Sequence, residues 1–146
     1  MATQSYIERA NELRALGESA RRRRDLAVAR EYYEEAAELL RNSTDQMRFA
    51  HTVRHLGDVY AELHNWSNAE SCFVEALNIY RGQPSSRLLD FANAIRGYAV
   101  LKDKSGRADE SRELWAEAGR MYQALGILDG VKECNLHVGP ANESIS

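Results

Sequence analysis

A motif returns three times along this chain at a near-constant interval. Leu13, Leu16, Gly17 and Ala20 are followed by Ala29, Tyr33 and Ala36. Val53, Leu56, Gly57 and Tyr60 are followed by Ala69, Phe73 and Ala76. A weaker copy runs Ile95, Tyr98 and Ala99, then Ser111, Trp115 and Ala118. In each copy the two small residues lie twelve positions apart (17 to 29, 57 to 69, 99 to 111). Self-similarity at this period marks a stack of repeated units, because one unit cannot bury its apolar face alone.

The spacing within each copy is helical. Leu13, Leu16, Gly17 and Ala20 fall at i, i+3, i+4 and i+7, one stripe of a 3.6-residue helix, and Ala29, Tyr33 and Ala36 form a second stripe on the next. Turns separate the two at Arg24-Asp25, His64-Asn65 and Ser105-Gly106, with Asp25 and Ser67 as expected N-caps. The copies are joined by the NSTD cluster, Asn42 to Asp45, and by GQPSS, Gly82 to Ser86, where Pro84 disfavours helix at Gln83. These signals predict helices over 4–23, 26–41, 45–63, 67–81, 86–103 and 107–124. Ile127, Val131, Cys134 and Val138 then recur at i, i+4, i+7 and i+11, which predicts a seventh helix over 127–138 that caps the array. Gly139-Pro140 should end it, and 139–146 should form a flexible tail.

Gly17, Gly57 and Ala99 are expected to be small because the two helices of each copy cross there. Tyr33, Phe73 and Trp115 are expected to fill the space between one pair and the next. The predicted fold is an all-α, right-handed superhelical stack of three helix pairs plus the cap, one domain spanning 1–138.

Composition narrows the function classes. Among 146 residues, 44% are hydrophobic and 28% charged, and no apolar run is long enough to cross a bilayer. The opening MATQSYIERA has neither a basic leader nor an apolar core, which predicts no secretory signal and a cytoplasmic location. Nineteen basic residues against 22 acidic ones give a net charge of −3, which argues against nucleic acid as a partner. Cys72 and Cys134 lack metal-type spacing and read as reduced thiols. No glycine-rich phosphate loop, serine elbow or paired-carboxylate motif occurs, which predicts a non-enzymatic protein without a cofactor.

The second copy, Val53-x2-Leu56-Gly57-x2-Tyr60 and Ala69-x3-Phe73-x2-Ala76, resembles the tetratricopeptide repeat. The first copy departs with Leu13 and Ala20, the third with Ala99, Lys102 and Ser111. The period exceeds the usual ~34 residues, and in this the chain resembles the longer-period branch of kinesin light chains and LGN-type scaffolds. The resemblance covers residues 5 to 123.

That resemblance implies an interaction module whose concave face is lined by the first helix of each pair. The implied groove positions are Asn11, Arg14, Ala15 and Glu18, then His51, Arg54, His55 and Asp58, then Asn93, Arg96, Gly97 and Val100. Arginine recurs at one position of all three copies, as Arg14, Arg54 and Arg96. Its planar fork of donors grips carboxylate or phosphate, so the ladder suits an extended acidic or phosphorylated peptide, or a C-terminal carboxylate. The alternative is a solvated face whose arginines pair with Glu18, Asp58 or Glu62. The chaperone-binding members use a clamp of lysines and asparagines. Here Glu18 stands at the clamp's first asparagine and the lysines are absent, which argues against a chaperone tail.

Arg21 to Arg24 form a basic run that suits either an anionic surface or the C-terminus of the first helix. His51, His55 and Asp58 share a face at i, i+4 and i+7, which keeps a small-molecule or metal sensor as a third class of reading, but no further ligand accompanies them and no metal is expected. Cys134 and His137 also share a face, where Cys134 fits the apolar stripe. The sequence therefore predicts a protein-interaction module that holds a peptide in its groove. The competing reading is a structural adaptor, or a scaffold that associates with its own copies, working through convex or terminal surfaces.

Overall fold

The computed structural model describes residues 2–83 and 87–139, with side chains from Ser5 onward. The expected link at Pro84 and the expected tail beyond Gly139 lie outside the described residues. Among the described residues there are seven helices and no strand: α1 (Ala2–Arg22), α2 (Leu26–Leu40), α3 (Gln46–Glu62), α4 (Trp66–Gly82), α5 (Leu88–Lys104), α6 (Ala108–Leu125) and α7 (Leu128–Val138). No bound differs from the expected one by more than two residues. Two compact units divide the chain after Gly82.

In the first unit α1 pairs with α2, α3 pairs with α4, and α2 packs on α3. The crossings are as close as the small residues require. A Cβ on Gly17 would stand 2.9 Å from the Tyr33 ring, and one on Gly57 would stand 3.1 Å from the Phe73 ring and 3.2 Å from Cys72 Cβ. Tyr33 and Phe73 thus each lie on the glycine of their own pair. Tyr33 also reaches the next pair as expected, its ring stacking on His55 (centroids 5.8 Å apart, planes at 11°). Leu16 is 44% exposed whereas its counterpart Leu56 is 7% exposed. The reason is that α3 is packed by both α2 and α4, while α2 is the main neighbour of α1.

In the second unit α5 pairs with α6 and α6 with α7. Two glycines that the repeat pattern does not single out make the last pairing. Gly119 faces Cys134, whose Cβ would lie 3.1 Å from an added methyl, and Gly130 faces the ring of Tyr122. Trp115 is buried, donates from Nε1 to Asp103 Oδ2 (2.9 Å) and stacks on His137 of α7. The third copy's Ser111 donates to the same Asp103 carboxylate, and Lys102 pairs with Glu110 (2.7 Å).

The turns within copies share one device. Arg24 (φ 64°), His64 (φ 61°) and Gly106 (φ 80°) occupy the left-handed region at the same place in each copy. The next amide, on Asp25, Asn65 or Arg107, donates back to Ala20, Tyr60 or Lys102, closing a Schellman motif. Left-handed backbone costs a non-glycine residue about 1–2 kcal/mol. Compensation comes from the Arg24 ion pair with Glu62 (2.5 Å) and the stacking of His64 on Trp66 (5.0 Å). The expected caps are corrected. Asp25 holds the N-cap position of α2 without a side-chain cap bond, because its carboxylate accepts no first-turn amide. Ser67 lies inside the first turn of α4, where the Asn65 carboxamide accepts the Asn68 amide (3.4 Å). Asp45, outside the expected caps, caps α3 by accepting from Arg48 N (3.0 Å).

Candidate functional site

The first helices of the two pairs in unit 1, α1 and α3, bring together most of the polar positions marked in the sequence. Arg14 donates from Nη1 to Asn11 Oδ1 (3.2 Å) and from Nη2 to His51 Nδ1. Arg48 Nη1 donates to the same Asn11 oxygen (2.9 Å). Because His51 Nδ1 accepts, its ring is neutral and the proton sits on Nε2. That nitrogen faces His55 Nε2 at 3.3 Å, which also accepts from Arg54 Nη2 (3.0 Å). His55 must then carry its own proton on Nδ1. The two histidines therefore form a relay whose tautomers follow from arginine being a donor only.

This relay ends in buried donors. Arg54 Nε and His55 Nδ1 are both buried and meet no acceptor among the described residues. The Arg54 side chain is only 11% exposed, and its Nη1 lies 3.5 Å from the Asp58 carboxylate. Burial, then the positive charges of Arg54, Arg21 and Arg14 and that of His51 whenever it is protonated, push the His55 imidazole down to about 2, so it stays neutral at physiological pH. A buried N–H without an acceptor costs on the order of 1–3 kcal/mol, so a site with two of them favours any ligand that supplies oxygen acceptors.

Two residues outside the expected set complete the face. Glu62 accepts from Arg21 Nε and Arg24 Nη1, each at 2.5 Å, and Arg21 also approaches Asp58 at 4.0 Å. Arg22 pairs with Glu18 across one helical turn. Three members of the Arg21–Arg24 run are therefore satisfied within the chain, which leaves little of it for an anionic surface. Arg21 and Glu62 were legible in principle. They stand one helical turn beyond Glu18 and Asp58 on the same stripes, at spacings of three and four residues. Glu18 itself is exposed and turned to Arg22.

Asn93 and Arg96 lie in the second unit. Asn93 Oδ1 accepts from the Tyr122 hydroxyl (2.6 Å). Arg96 grips Glu133 of α7 with two bonds, Nε to Oε1 at 2.6 Å and Nη2 to Oε2 at 2.8 Å. These bonds hold the Glu133 carboxyl below its ordinary range, against the opposing effect of burial. The contact has the same span as Arg14 to His51, 37 residues in each case. Counting on by the repeat period from Ala99 reaches Gly139, and Glu133 lies six before it, as His51 lies six before Gly57. One repeat position thus donates to another in the next first helix, meeting a neutral imidazole in unit 1 and a carboxylate in unit 2.

His51 and His55 spend ring nitrogens on arginines and on each other, and among the described residues no three His, Cys, Asp or Glu side chains gather as metal ligands. Among the described residues no helix is long and apolar enough to cross a membrane.

The sequence profile of the tetratricopeptide repeat matches residues 6–82. The chain belongs to the tetratricopeptide repeat family. Solved structures agree on the all-α repeat fold. A tetratricopeptide-like protein from Chlorobium tepidum superposes with a TM-score of 0.74 at 14% identity, over 94% of this chain and 97% of that one. BtubC from P. vanneervenii gives 0.69 at 15% identity, over 93% of this chain, which spans 64% of the BtubC length. The N-terminal domain of stress-induced protein-1 from C. elegans gives 0.64 at 18% identity, over 89% of this chain and 97% of that domain. At these identities the likeness is one of fold. No curated protein sequence matches the chain significantly. Tetratricopeptide repeats are generic protein-interaction modules, and this chain carries that architecture.

Proposed function

We propose that this tetratricopeptide repeat protein is a non-enzymatic module that binds an acidic peptide segment across α1 and α3, with Arg14 and Arg54 as anchors. The observation that carries this reading is the pair of buried donors, Arg54 Nε and His55 Nδ1, without acceptors, beside an arginine that meets a neutral imidazole. Carboxylates supply the missing acceptors and make stronger, charge-assisted bonds to guanidinium than an imidazole does. The ladder read from the sequence narrows accordingly. Arg96 already holds the Glu133 carboxylate, so its main work is to tie α7 to α5. The two buried free thiols favour a reducing compartment such as the cytoplasm. The repeat period near 40 residues favours the longer-period branch of the family over the 34-residue one.

The test is fluorescence anisotropy with a labelled, acetylated and amidated hexaglutamate peptide, and a hexalysine peptide as control. Selective binding of hexaglutamate is expected. Arg14→Ala and Arg54→Ala should each weaken it by about 1.5–3 kcal/mol if the contact is desolvated, and affinity should fall with added salt. Equal affinity in a folded double variant sinks this reading. Work would then turn to the second helices, where Glu31, Glu34, Glu35 and Glu38 line α2, and to adaptor or self-association roles.

A further inference from the structure

We propose that capture of an anion by the α1–α3 face is coupled to uptake of one proton by His51. The inference rests on the acidic-ligand reading above and concerns how that same site is regulated. At rest, His51 Nδ1 is occupied as an acceptor by Arg14, and His51 Nε2 bears the proton that faces His55. A proton cannot be added to His51 while Arg14 donates to it, since a guanidinium has no acceptor to offer. An anionic ligand that takes the donors of Arg14 frees the Nδ1 lone pair and places a negative charge beside it. The proton that then binds Nδ1 turns His51 into a third cationic donor for the ligand. Atoms and charge balance: solvent supplies one proton, and no covalent bond to a heavy atom changes.

The groups around the imidazole set the direction. Arg14 of α1 and His55 of α3 touch the His51 ring itself, and about the adjoining His55 ring stand Arg21 of α1, Tyr33 of α2 and Arg54 of α3, with Asp58 beside Arg54. Three arginines gather about the histidine pair, and the Asp58 carboxylate beside them is shared by Arg54 and Arg21, which disfavours a further positive charge until an anion arrives. His55 is no competing acceptor of the proton, because burial and the same arginines keep it neutral. By linkage, what the anion does for the proton the proton does for the anion, so affinity must rise as pH falls. A tenfold coupling corresponds to one pKa unit. Arg96 offers no such device, since its acceptor Glu133 is already a carboxylate.

The experiment is isothermal titration calorimetry of the full chain with the hexaglutamate peptide from pH 6 to 8. At pH 6.5 it is repeated in PIPES and in Bis-Tris, whose ionisation enthalpies differ. The expected result is a three- to tenfold gain in affinity from pH 8 to pH 6, with net proton uptake that vanishes in His51→Gln. Glutamine keeps an oxygen for Arg14 and cannot be protonated, so His51→Gln should still bind. If that variant fails to fold, nitrogen-15 spectra of the wild-type histidine rings, with and without peptide at pH 6.5, give the same answer by showing which ring gains a proton. Binding that needs Arg14 and Arg54 but takes up no proton and ignores pH overturns the coupling and leaves the acidic-ligand reading standing. Proton uptake that persists in a folded His51→Gln also overturns it. Absence of binding at every pH overturns both.

Discussion

Replacing Gly130 with alanine adds one methyl group where the ring of Tyr122 already stands. The new Cβ would lie 2.5, 2.7 and 2.8 Å from three ring carbons, about 1 Å inside the ~3.5–4.0 Å of an ordinary carbon contact. Tyr122 has little room to yield, being buried and tied at its far end to Asn93. Two effects of opposite sign compete. Alanine is the better helix former by about 1 kcal/mol, while overpacking costs about 1–3 kcal/mol and occasionally more. With three contacts this short the clash wins, and the loss is bounded by the free energy that docks α7 on α6. Beyond that bound α7 lifts off, and Cys134, buried in this pairing, is uncovered.

Cys134 is therefore the natural probe. Burial, with Glu133 nearby, pushes its thiol up to about 11, and burial, with Glu75 and Glu34, pushes that of Cys72 up to about 12. Both should resist a disulfide reagent at pH 8 in the native protein. Gly130→Ala should speed labelling of Cys134 tenfold or more, leave Cys72 slow, and lower the urea midpoint seen by circular dichroism. Gly82→Ala is the control, since nothing lies within 4 Å of an added methyl there, and it should be neutral or stabilising by up to ~1 kcal/mol. The reasoning fails if Gly130→Ala raises the midpoint as Gly82→Ala does and leaves Cys134 protected.

Arg96→Ala should likewise accelerate Cys134 labelling, by releasing Glu133, while hexaglutamate affinity stays within about twofold; a large loss of affinity would return Arg96 to the ligand site. Phe73→Ala, which empties the fully buried space over Gly57, should cost about 3–5 kcal/mol in urea unfolding, and a cost below 1 kcal/mol would contradict the crossing. His55 adds a pH dependence. Its folded value of about 2 lies below the unfolded 6.5, so the unfolded chain takes up a proton first. The stability this represents is complete above pH 6.5 and is lost as pH falls toward 2, which amounts to about 2 kcal/mol between pH 8 and pH 5. Urea midpoints across that range test it, and a flat profile would mean that His55 is more solvated than its surroundings indicate.

The sequence by itself determined the helices, their pairing and their turns. Those depend on local rules: a 3.6-residue stripe, a small residue where two helices touch, and a residue seven beyond the crossing that tolerates the left-handed turn. Gly17, Gly57 and Ala99 could be read because a close approach excludes bulk whatever the rest of the chain does. The partners of the long side chains were decided only by tertiary structure. Arg14 and Arg96 occupy one repeat position, yet one meets a neutral histidine and the other a carboxylate, because the acceptor arrives from another helix 37 residues away. The same holds for Gly119 and Gly130, whose smallness acquires a reason only when α7 is laid against α6. Spacing constrains where a side chain begins. The geometry of the neighbouring helix decides where a flexible guanidinium ends, and through it which ring nitrogen of a histidine holds the proton.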